Sequence, residues 1–547
     1  MKRILIAGLL LMALFAAALH WRIHNPFTAD GIRVGFLIAN VLMWIDVVVV
    51  TALFLNRRTA ALAFLLNGIL VIYGSVMMFH YSAAQHPAGL SGWLIGSLVP
   101  DIVAAWADFC LGAALWVVYV REGQALGARG VARKAVPNIR GEHLVVVGGG
   151  VAGVSAVEAA RSENPAIAIT LIGDEPELPY RRLRLTPYLA GQESRESLLL
   201  RPRQWYRDRR INLLTDTRVT RIDPTARTLT LRGDQPAVRY DQLVLATGSF
   251  PRRLPMAGLD KPNVFYVRRL ADAEALRSAA RSHDECVVIG GGLLGLETAK
   301  ALALAGANVQ VIEAADRVLP RQLDERGSER LADALRREGL ALHLGRSVKQ
   351  VHGEDRVSLV RLDNGVSLFA NVVVVAVGIQ PVTDLARGAT CEVDRGIVVD
   401  DALSTTVDGI FAAGDAARHG GVVYGIWPAA MEQGRIAGIN AAGGDEVFEG
   451  IVPFNPLKVV DAPVYSIGVT GAEVPTDREL VLDTAECYKK LTVRGDRLIG
   501  AVLVGDTAES EALAGAVVEG LDVSHESAGG DAAAVLAAIV DHARSAV

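Results

Sequence analysis

The stretch His143-Leu144-Val145-Val146-Val147-Gly148-Gly149-Gly150-Val151-Ala152-Gly153, followed by small and apolar residues to Arg161, decides how the chain folds. A short apolar run ends in glycines, and a helical pattern begins at once. This is the G-x-G-x-x-G spacing in a strand–turn–helix setting. Gly148 suits the tight turn, Gly150 lets the backbone approach a pyrophosphate, and Gly153 lets helix pack on strand. The helix N-terminus adds free N–H groups and positive dipole for a phosphate. A second strand, Ile167 to Ile172, ends in Gly173-Asp174-Glu175, where a carboxylate can accept both hydroxyls of a ribose. The pattern then recurs. Cys286 to Ile289 is a strand, Gly290, Gly292 and Gly295 repeat the fingerprint, the helix after it carries Glu297, and the strand from Asn308 to Ile312 ends at Glu313. Two complete fingerprints predict an α/β chain with two Rossmann-like nucleotide domains. Glu313 stands where a 2′-phosphate would go, so its charge favours NADH; nearby Arg317 leaves room for some NADPH.

Further motifs carry a resemblance. They are Tyr240-Asp241 with Ala246-Thr247-Gly248-Ser249, Val377-Gly378-Ile379-Gln380-Pro381, and Ile410-Phe411-Ala412-Ala413-Gly414-Asp415. From His143 to Val547 the chain resembles the two-dinucleotide flavoproteins of the pyridine nucleotide-disulfide oxidoreductase type, most of all rubredoxin reductases and the flavin part of NADH-dependent nitrite reductases. The resemblance implies FAD at the first fingerprint and NADH at the second. It implies that Asp415 accepts hydrogen bonds from the ribityl chain, a role that suits a carboxylate. Gly148, Gly150, Gly153, Asp174, Glu175, Arg182, Ala246, Thr247, Gly248, Gly414, Asp415 and Trp427 would then serve FAD. Gly290, Gly292, Gly295, Glu297, Glu313 and Gly378 would serve NAD. Tyr180, Arg182 and Thr186 match a segment beside the isoalloxazine, Trp427 an aromatic near the flavin ring, and Glu297 a carboxylate near the nicotinamide. Trp427 as a core residue and Glu297 as a simple helix N-terminal acid are the ordinary alternatives. The last segment, with Asn455 to Val459, Tyr488 to Val493 and Leu498 to Gly505, resembles an α+β C-terminal interface domain, through which a homodimer is conceivable.

The departures bear on the electron acceptor. Asp174 to Ser194 contains no cysteine, and Cys110, Cys286, Cys391 and Cys487 lie far apart. That argues against a disulfide relay, against iron–sulfur or zinc clusters, and so against a metal site. Pro187 stands where some relatives have a lysine near the flavin. No catalytic acid or base is named, because hydride transfer from NADH to flavin needs none.

The mean hydropathy of +0.31 hides a boundary. Four apolar runs, Ile4 to Leu19, Val34 to Leu55, Thr59 to Phe79 and Trp93 to Val120, precede Arg121 and read as membrane spans of about 20 residues each. Lys2, Arg3, Arg57, Arg58, Arg121, Arg129, Arg133 and Lys134 fall on one side, Arg22 and Arg33 on the other. The positive-inside rule predicts a multi-pass protein, expected in a bacterial inner membrane, with the flavoprotein part in the cytoplasm. The first run also resembles a cleavable signal peptide ending near Ala16-Ala17-Ala18. Asp46 and Asp108 map near mid-depth, and Asp101 lies seven residues before Asp108. Such acids are expensive in lipid and usually functional. His20, His24, His80 and His86 map to the outer side; paired histidines could hold haem b, but interfacial histidines are commoner.

The expected organisation is a transmembrane bundle (1–120), a linker (121–141), the FAD domain in two parts (142–258 and 379–450), the NAD domain between them (259–378), and the C-terminal domain (451–547). A net charge of −5 gives no sign of nucleic-acid binding. Two arginine clusters, Arg181, Arg182 and Arg184, and Arg201, Arg203, Arg207, Arg209 and Arg210, could dock an acidic carrier or lipid headgroups, or merely be solvated. The function expected is a membrane-anchored NADH oxidoreductase. It would pass electrons from FAD to a quinone, a membrane cofactor or a small redox protein. The alternative is a flavin- or NADH-regulated membrane transport or sensor protein, and steady NADH turnover with an added acceptor separates the two.

Overall fold

The computed structural model describes residues 143–457, 462–527 and 530–545. The expected bundle and linker, with Asp46, Asp101, Asp108 and the four histidines, lie outside the described residues. Among the described residues, no helix is long and apolar enough to cross a membrane.

Two parallel five-stranded sheets repeat one design. In the first, the strand His143–Val147 lies between Ala168–Ile172 and Gln242–Leu245, with Ile211–Leu214 and Ile410–Ala412 at the edges. In the second, Glu285–Ile289 lies between Asn308–Glu313 and Val372–Val375, with Ala341–Leu344 and Val264–Phe265 outside. In each, a three-stranded antiparallel excursion precedes the strand that returns beside the central one. The central strands are buried along nearly their whole length, as expected of parallel strands covered on both faces.

The helix Val151–Glu163 is matched by Trp427–Ala441 from the far end of the chain. Their axes come close because Gly434 and Gly438 oppose Ala152 and Ala156. A Cβ on either glycine would stand 2.2 or 2.1 Å from a main-chain carbonyl oxygen of the partner helix. This contact fixes Trp427 and the preceding loop, Gly414 and Asp415 included, over the first fingerprint. The chain crosses between the halves twice, through Ser249–Pro251 and Ile379–Pro381, and the two crossings pair as an antiparallel ribbon. The sequence motif around Gly378 is therefore a crossover strand.

The C-terminal part forms an antiparallel sheet in the order Phe454–Leu457, Val464–Gly468, Arg497–Val504, Tyr488–Arg494, Asp477–Asp483. The first strand is described only to Leu457, short of the expected Val459. Alternate residues divide its faces, as strand geometry requires. Leu491, Val493, Ala501 and Leu503 pack on the helices Ser510–Glu519 and Ala532–Ser545. Tyr488, Val502 and Val504 pack on Leu331 and Leu335 of the NAD-side helix Glu325–Arg337.

Asp324 ties this junction together. Its Oδ1 caps that helix by accepting from Gly327 N at 3.0 Å, while Oδ2 accepts from Tyr488 Oη at 2.5 Å and faces Lys490 Nζ at 2.7 Å. Lys490 is 2% exposed and also pairs with Glu479 at 3.2 Å. Burial alone would raise the Asp324 carboxyl, but the bonds from Lys490, Tyr488 and Gly327 outweigh it and hold it below the ordinary aspartate range. A depressed carboxylate stabilises the fold above its unfolded pKa, and that contribution disappears as pH falls through the lower folded value. Asp324→Ala is therefore expected to cost about 3 kcal/mol, the scale for breaking a buried pair, as a lower urea midpoint at pH 7. The difference from wild type should shrink only below about pH 4. A midpoint unchanged at pH 7 would show that the junction does not depend on this carboxylate.

Candidate nucleotide-binding cleft

In a parallel sheet all strand C-termini lie at one edge, so the loops that follow them meet there. Those loops, from both halves, line one continuous cleft of about 2400 Å³. Its size exceeds the roughly 300–1,000 Å³ of a single small-molecule site.

The two glycine loops have the same build. Gly148 and Gly290 have φ of +124° and +118°, open to glycine and strained for other residues. A Cβ at Gly148 would stand 2.0 Å from Ala246 O, and one at Gly290 would stand 2.3 Å from Ala376 O. Gly153 and Gly295 lie behind the cleft lining, where a Cβ would meet the carbonyl oxygen of Gly148 or Gly290 at 1.9 or 2.0 Å. Gly150 and Gly292 differ: a Cβ there would meet nothing within 4 Å. Each loop thus has two glycines that pack main chain and one that faces open space at a helix N-terminus. That is the fit a dinucleotide pyrophosphate requires.

On the FAD side, Gly148, Gly150, Asp174, Glu175, Arg182, Ala246, Thr247, Gly248, Gly414, Asp415 and Trp427 all line the cleft. Thr247 Oγ1 donates to Val382 O at 2.8 Å and holds the second crossover near the loop. Gly414 N donates to Gln433 Oε1 at 2.9 Å. Asp415 Oδ2 accepts from Ser249 Oγ at 2.7 Å and from Arg268 Nη2 at 3.0 Å. Both contacts fall on one oxygen. Arg268 was not legible as a site residue, since no spacing marks it. Burial lowers its pKa and the Asp415 carboxylate opposes that shift.

The structure changes the reading of three residues. Glu175 receives Arg182 Nη2 at 2.5 Å on Oε1 and Tyr180 Oη at 2.6 Å on Oε2, and Asp174 pairs with Arg269 at 2.7 Å. Both carboxylates expected at a ribose thus have protein partners. Arg182 also donates to Tyr180 Oη at 2.9 Å and to Arg268 O at 3.0 Å, and Tyr180 Oη accepts from Leu270 N at 2.9 Å. Arg182 is thus a half-buried organiser of the cleft wall rather than a docking arginine. Burial works against its charge, but Tyr180 and Glu175 raise its pKa on balance.

On the NAD side, Gly290, Gly292, Glu297, Glu313 and Gly378 line the same cleft. Glu313 Oε2 accepts from Gly291 N at 2.6 Å and Oε1 from Ala315 N at 2.8 Å, which fixes the carboxylate against the glycine loop. Arg317 Nη1 pairs with Asp316 at 3.0 Å. Glu297 accepts from Thr186 Oγ1 at 3.0 Å, a bond that joins the FAD-side helix Leu185–Leu189 to the NAD-side helix Leu293–Leu304. Burial raises its pKa and the Thr186 bond tempers the rise. Cys286, Cys391 and Cys487 are buried, and burial pushes the Cys286 thiol up to about 12.

Comparison with known proteins agrees with this geometry. The profile described as pyridine nucleotide-disulphide oxidoreductase matches residues 142–434, and that of the rubredoxin NAD+ reductase C-terminal domain matches 453–521. The nitrite reductase [NAD(P)H] of Bacillus subtilis (strain 168) is 35% identical over 71% of this chain but only 48% of its own length, so the chain spans about half of that relative. The NADH-rubredoxin oxidoreductase of Clostridium acetobutylicum is 28% identical over 67% of this chain and 91% of its own. The crystal structure of a covalent putidaredoxin reductase–putidaredoxin complex superposes with a TM-score of 0.67 at 30% identity, covering 74% of this chain and 99% of that one.

The matched loops predict separable losses. Gly148→Ala should yield protein without bound flavin. Gly290→Ala should retain the flavin spectrum but lose its bleaching by NADH by at least about tenfold, since each added Cβ overlaps a fixed carbonyl at strained φ. Flavin retained in the first variant, or normal bleaching in the second, would contradict the assignment of the two loops.

Proposed function

The chain belongs to the pyridine nucleotide-disulphide oxidoreductase family, and we propose from this that it is an FAD-dependent NADH oxidoreductase that passes electrons to a small redox protein. One observation carries the reading: two glycine-loop cradles open onto one cleft, and the Thr186–Glu297 bond joins the halves where two rings would meet. When bound, FAD supplies the two-electron chemistry, accepting a hydride equivalent from the nicotinamide and releasing electrons singly or in pairs.

The protein's own residues bind, orient and exclude. The amides of the glycine loops and their helix N-termini hold phosphates. Asp415 is braced by Ser249 and Arg268, so its carboxylate is fixed before any hydroxyl arrives. Glu313 is held by two backbone N–H groups and presents charge to a ribose diol. A disulfide relay has no means here: among the described residues none of the three cysteines lines the cleft, and the Cys286 thiol holds its proton. The rim carries Leu183 at 62% and Phe250 at 41% exposure, which suits a docking protein. Relatives named for rubredoxin and putidaredoxin support that class of acceptor.

Membrane anchoring is part of the proposal. Its support is the four apolar runs and their flanking charge, from which the positive-inside rule favours a cytoplasmic flavoprotein. A quinone acceptor is the second reading, favoured by Asp46 and Asp108 at depths of about 14 and 18 Å from the inner boundary. Asp46→Asn and Asp108→Asn should leave flavin bleaching by NADH unchanged and slow electron delivery to a quinone in reconstituted membranes. Normal quinone turnover in both would remove that reading and leave the first untouched.

Nucleotide choice tests the central claim. NADH should exceed NADPH in kcat/KM by about tenfold or more, and Glu313→Ala should shrink that ratio by about tenfold, because a lost diol acceptor and a relieved charge repulsion act together. A wild-type preference for NADPH would overturn the role given to Glu313.

A further inference from the structure

The parallel sheet that carries the first fingerprint has a second edge. The loops that line the cleft follow the strand C-termini, so the residues that precede the strands lie at the opposite edge, one strand length of about 17 Å away. The chain arrives there, at His143, from the 142 residues that carry the apolar runs. Arg209 and Arg210 lie at the same edge, because they immediately precede the strand Ile211–Leu214. Arg161 is in the last turn of the helix that runs back from the fingerprint.

The edge also carries Asp241, which accepts from His143 N, and Asp408, which pairs with Arg227, but its corner beside Ile211–Leu214 is positively charged. Arg161 donates to Arg209 O at 2.9 Å, Arg210 O at 3.3 Å, Pro165 O at 2.9 Å and Ile167 O at 2.7 Å, so its charge meets only main-chain carbonyls. Trp205, half-buried against the core, has the Arg209 guanidinium at 4.4 Å and that of Arg201 at 5.5 Å from its ring. Of the nearby acids, Glu158 pairs with Arg201 at 3.0 Å and Asp208 accepts from Gln204 at 2.6 Å. Among the described residues, Arg203, Arg207, Arg209 and Arg210 are exposed and have no carboxylate partner. The other arginine cluster contrasts with this one: Arg182 pairs with Glu175 and Arg184 with Glu193.

We propose that this edge, Arg203, Arg207, Arg209 and Arg210 around Trp205, binds an anionic phospholipid surface and holds the flavoprotein with its nucleotide cleft turned away from the bilayer. The inference rests on the anchoring proposed above. Charge complementarity and the arrival of the chain at this edge select lipid as the occupant. Clustered basic residues next to a membrane anchor are attracted to anionic headgroups, and a tryptophan suits the interfacial layer. The cleft then stays open to a soluble carrier.

The test uses the full chain with bound FAD in nanodiscs of phosphatidylcholine alone or with about 30 mol% phosphatidylglycerol, an anionic lipid that sets up the attractive surface potential. Amide hydrogen exchange is read over residues 203–212. Phosphatidylglycerol is expected to slow exchange there by about threefold or more, and about 1 M salt should abolish the difference by shortening the screening length to about 3 Å. Arg207→Glu/Arg209→Glu and, separately, Arg203→Glu/Arg207→Glu should lose the lipid dependence while flavin content and bleaching by NADH stay at wild-type levels. Equal exchange in both lipids, or protection that survives both double variants, overturns the proposal. A chain that does not enter the discs overturns the anchoring and this inference together, whereas entry without lipid-dependent protection overturns this inference alone.

Discussion

Two main-chain approaches hold the rest in place. Gly148 lies against the carbonyl of Ala246, and Gly290 against that of Ala376, each so closely that no side chain fits between them. Each approach brings a strand, a turn and a helix N-terminus to one point while leaving Gly150 or Gly292 facing open space. The helix cannot start later without losing its amides from the cleft. The neighbouring strand cannot move away without opening a void over a buried core. The loop after that neighbouring strand, Thr247-Gly248 in one half and Val377-Gly378 in the other, is therefore carried to the cleft by the same contact. Gly153 and Gly295 close the arrangement from behind, which is why they share the motif but not the lining.

This constraint also explains what could be read in the sequence. Glycine spacing after an apolar strand records a steric requirement within a few residues, so both fingerprints and both Rossmann-like sheets were legible. The paired acids after the second strand were less so. Glu175 and Asp174 stand at a strand end, but their partners, Arg182, Tyr180 and Arg269, are set by how a loop and a crossover meet. Arg268 left no local signal, since its partner Asp415 is 147 residues away. The ribbon of Ser249–Pro251 with Ile379–Pro381 was likewise hidden, because pairing of two crossovers depends on both halves being folded. Arg182 shows the cost of reading charge without burial. Its sequence neighbours suggested a solvated face, yet it bonds Glu175 and Tyr180 on its own loop and Arg268, 86 residues away.

Lys490 belongs with these long-range effects. A lysine in a strand pattern usually points to solvent. Here the strand Tyr488–Arg494 is covered on both faces, so its polar residues had to find partners, and Asp324 and Glu479 serve Lys490. Because Asp324 is also the cap of the helix that follows the NAD-side loop, the C-terminal sheet and that loop end share one carboxylate.

The charges of the cleft wall lead to a conclusion about binding. Arg182, Arg268 and Arg269 face Glu175, Asp415 and Asp174, three guanidinium groups against three carboxylates. The Arg182–Glu175 and Arg268–Asp415 pairs are largely shielded from water, so breaking either leaves a poorly solvated charge at considerable cost, whereas Arg269–Asp174 is exposed and contributes little. These three arginines are committed to the wall, whereas Arg218, Arg252, Arg253, Arg321 and Arg346 also line the cleft and, among the described residues, pair with no carboxylate. An anionic dinucleotide must be met mainly by groups that have no such commitment. The amides of the glycine loops, the two helix N-termini and these unpaired arginines are those groups, and they cost no ion pair to use. At the two glycine loops phosphate recognition falls to the backbone, while the Arg268–Asp415 pair keeps Asp415 in position beside the first crossover.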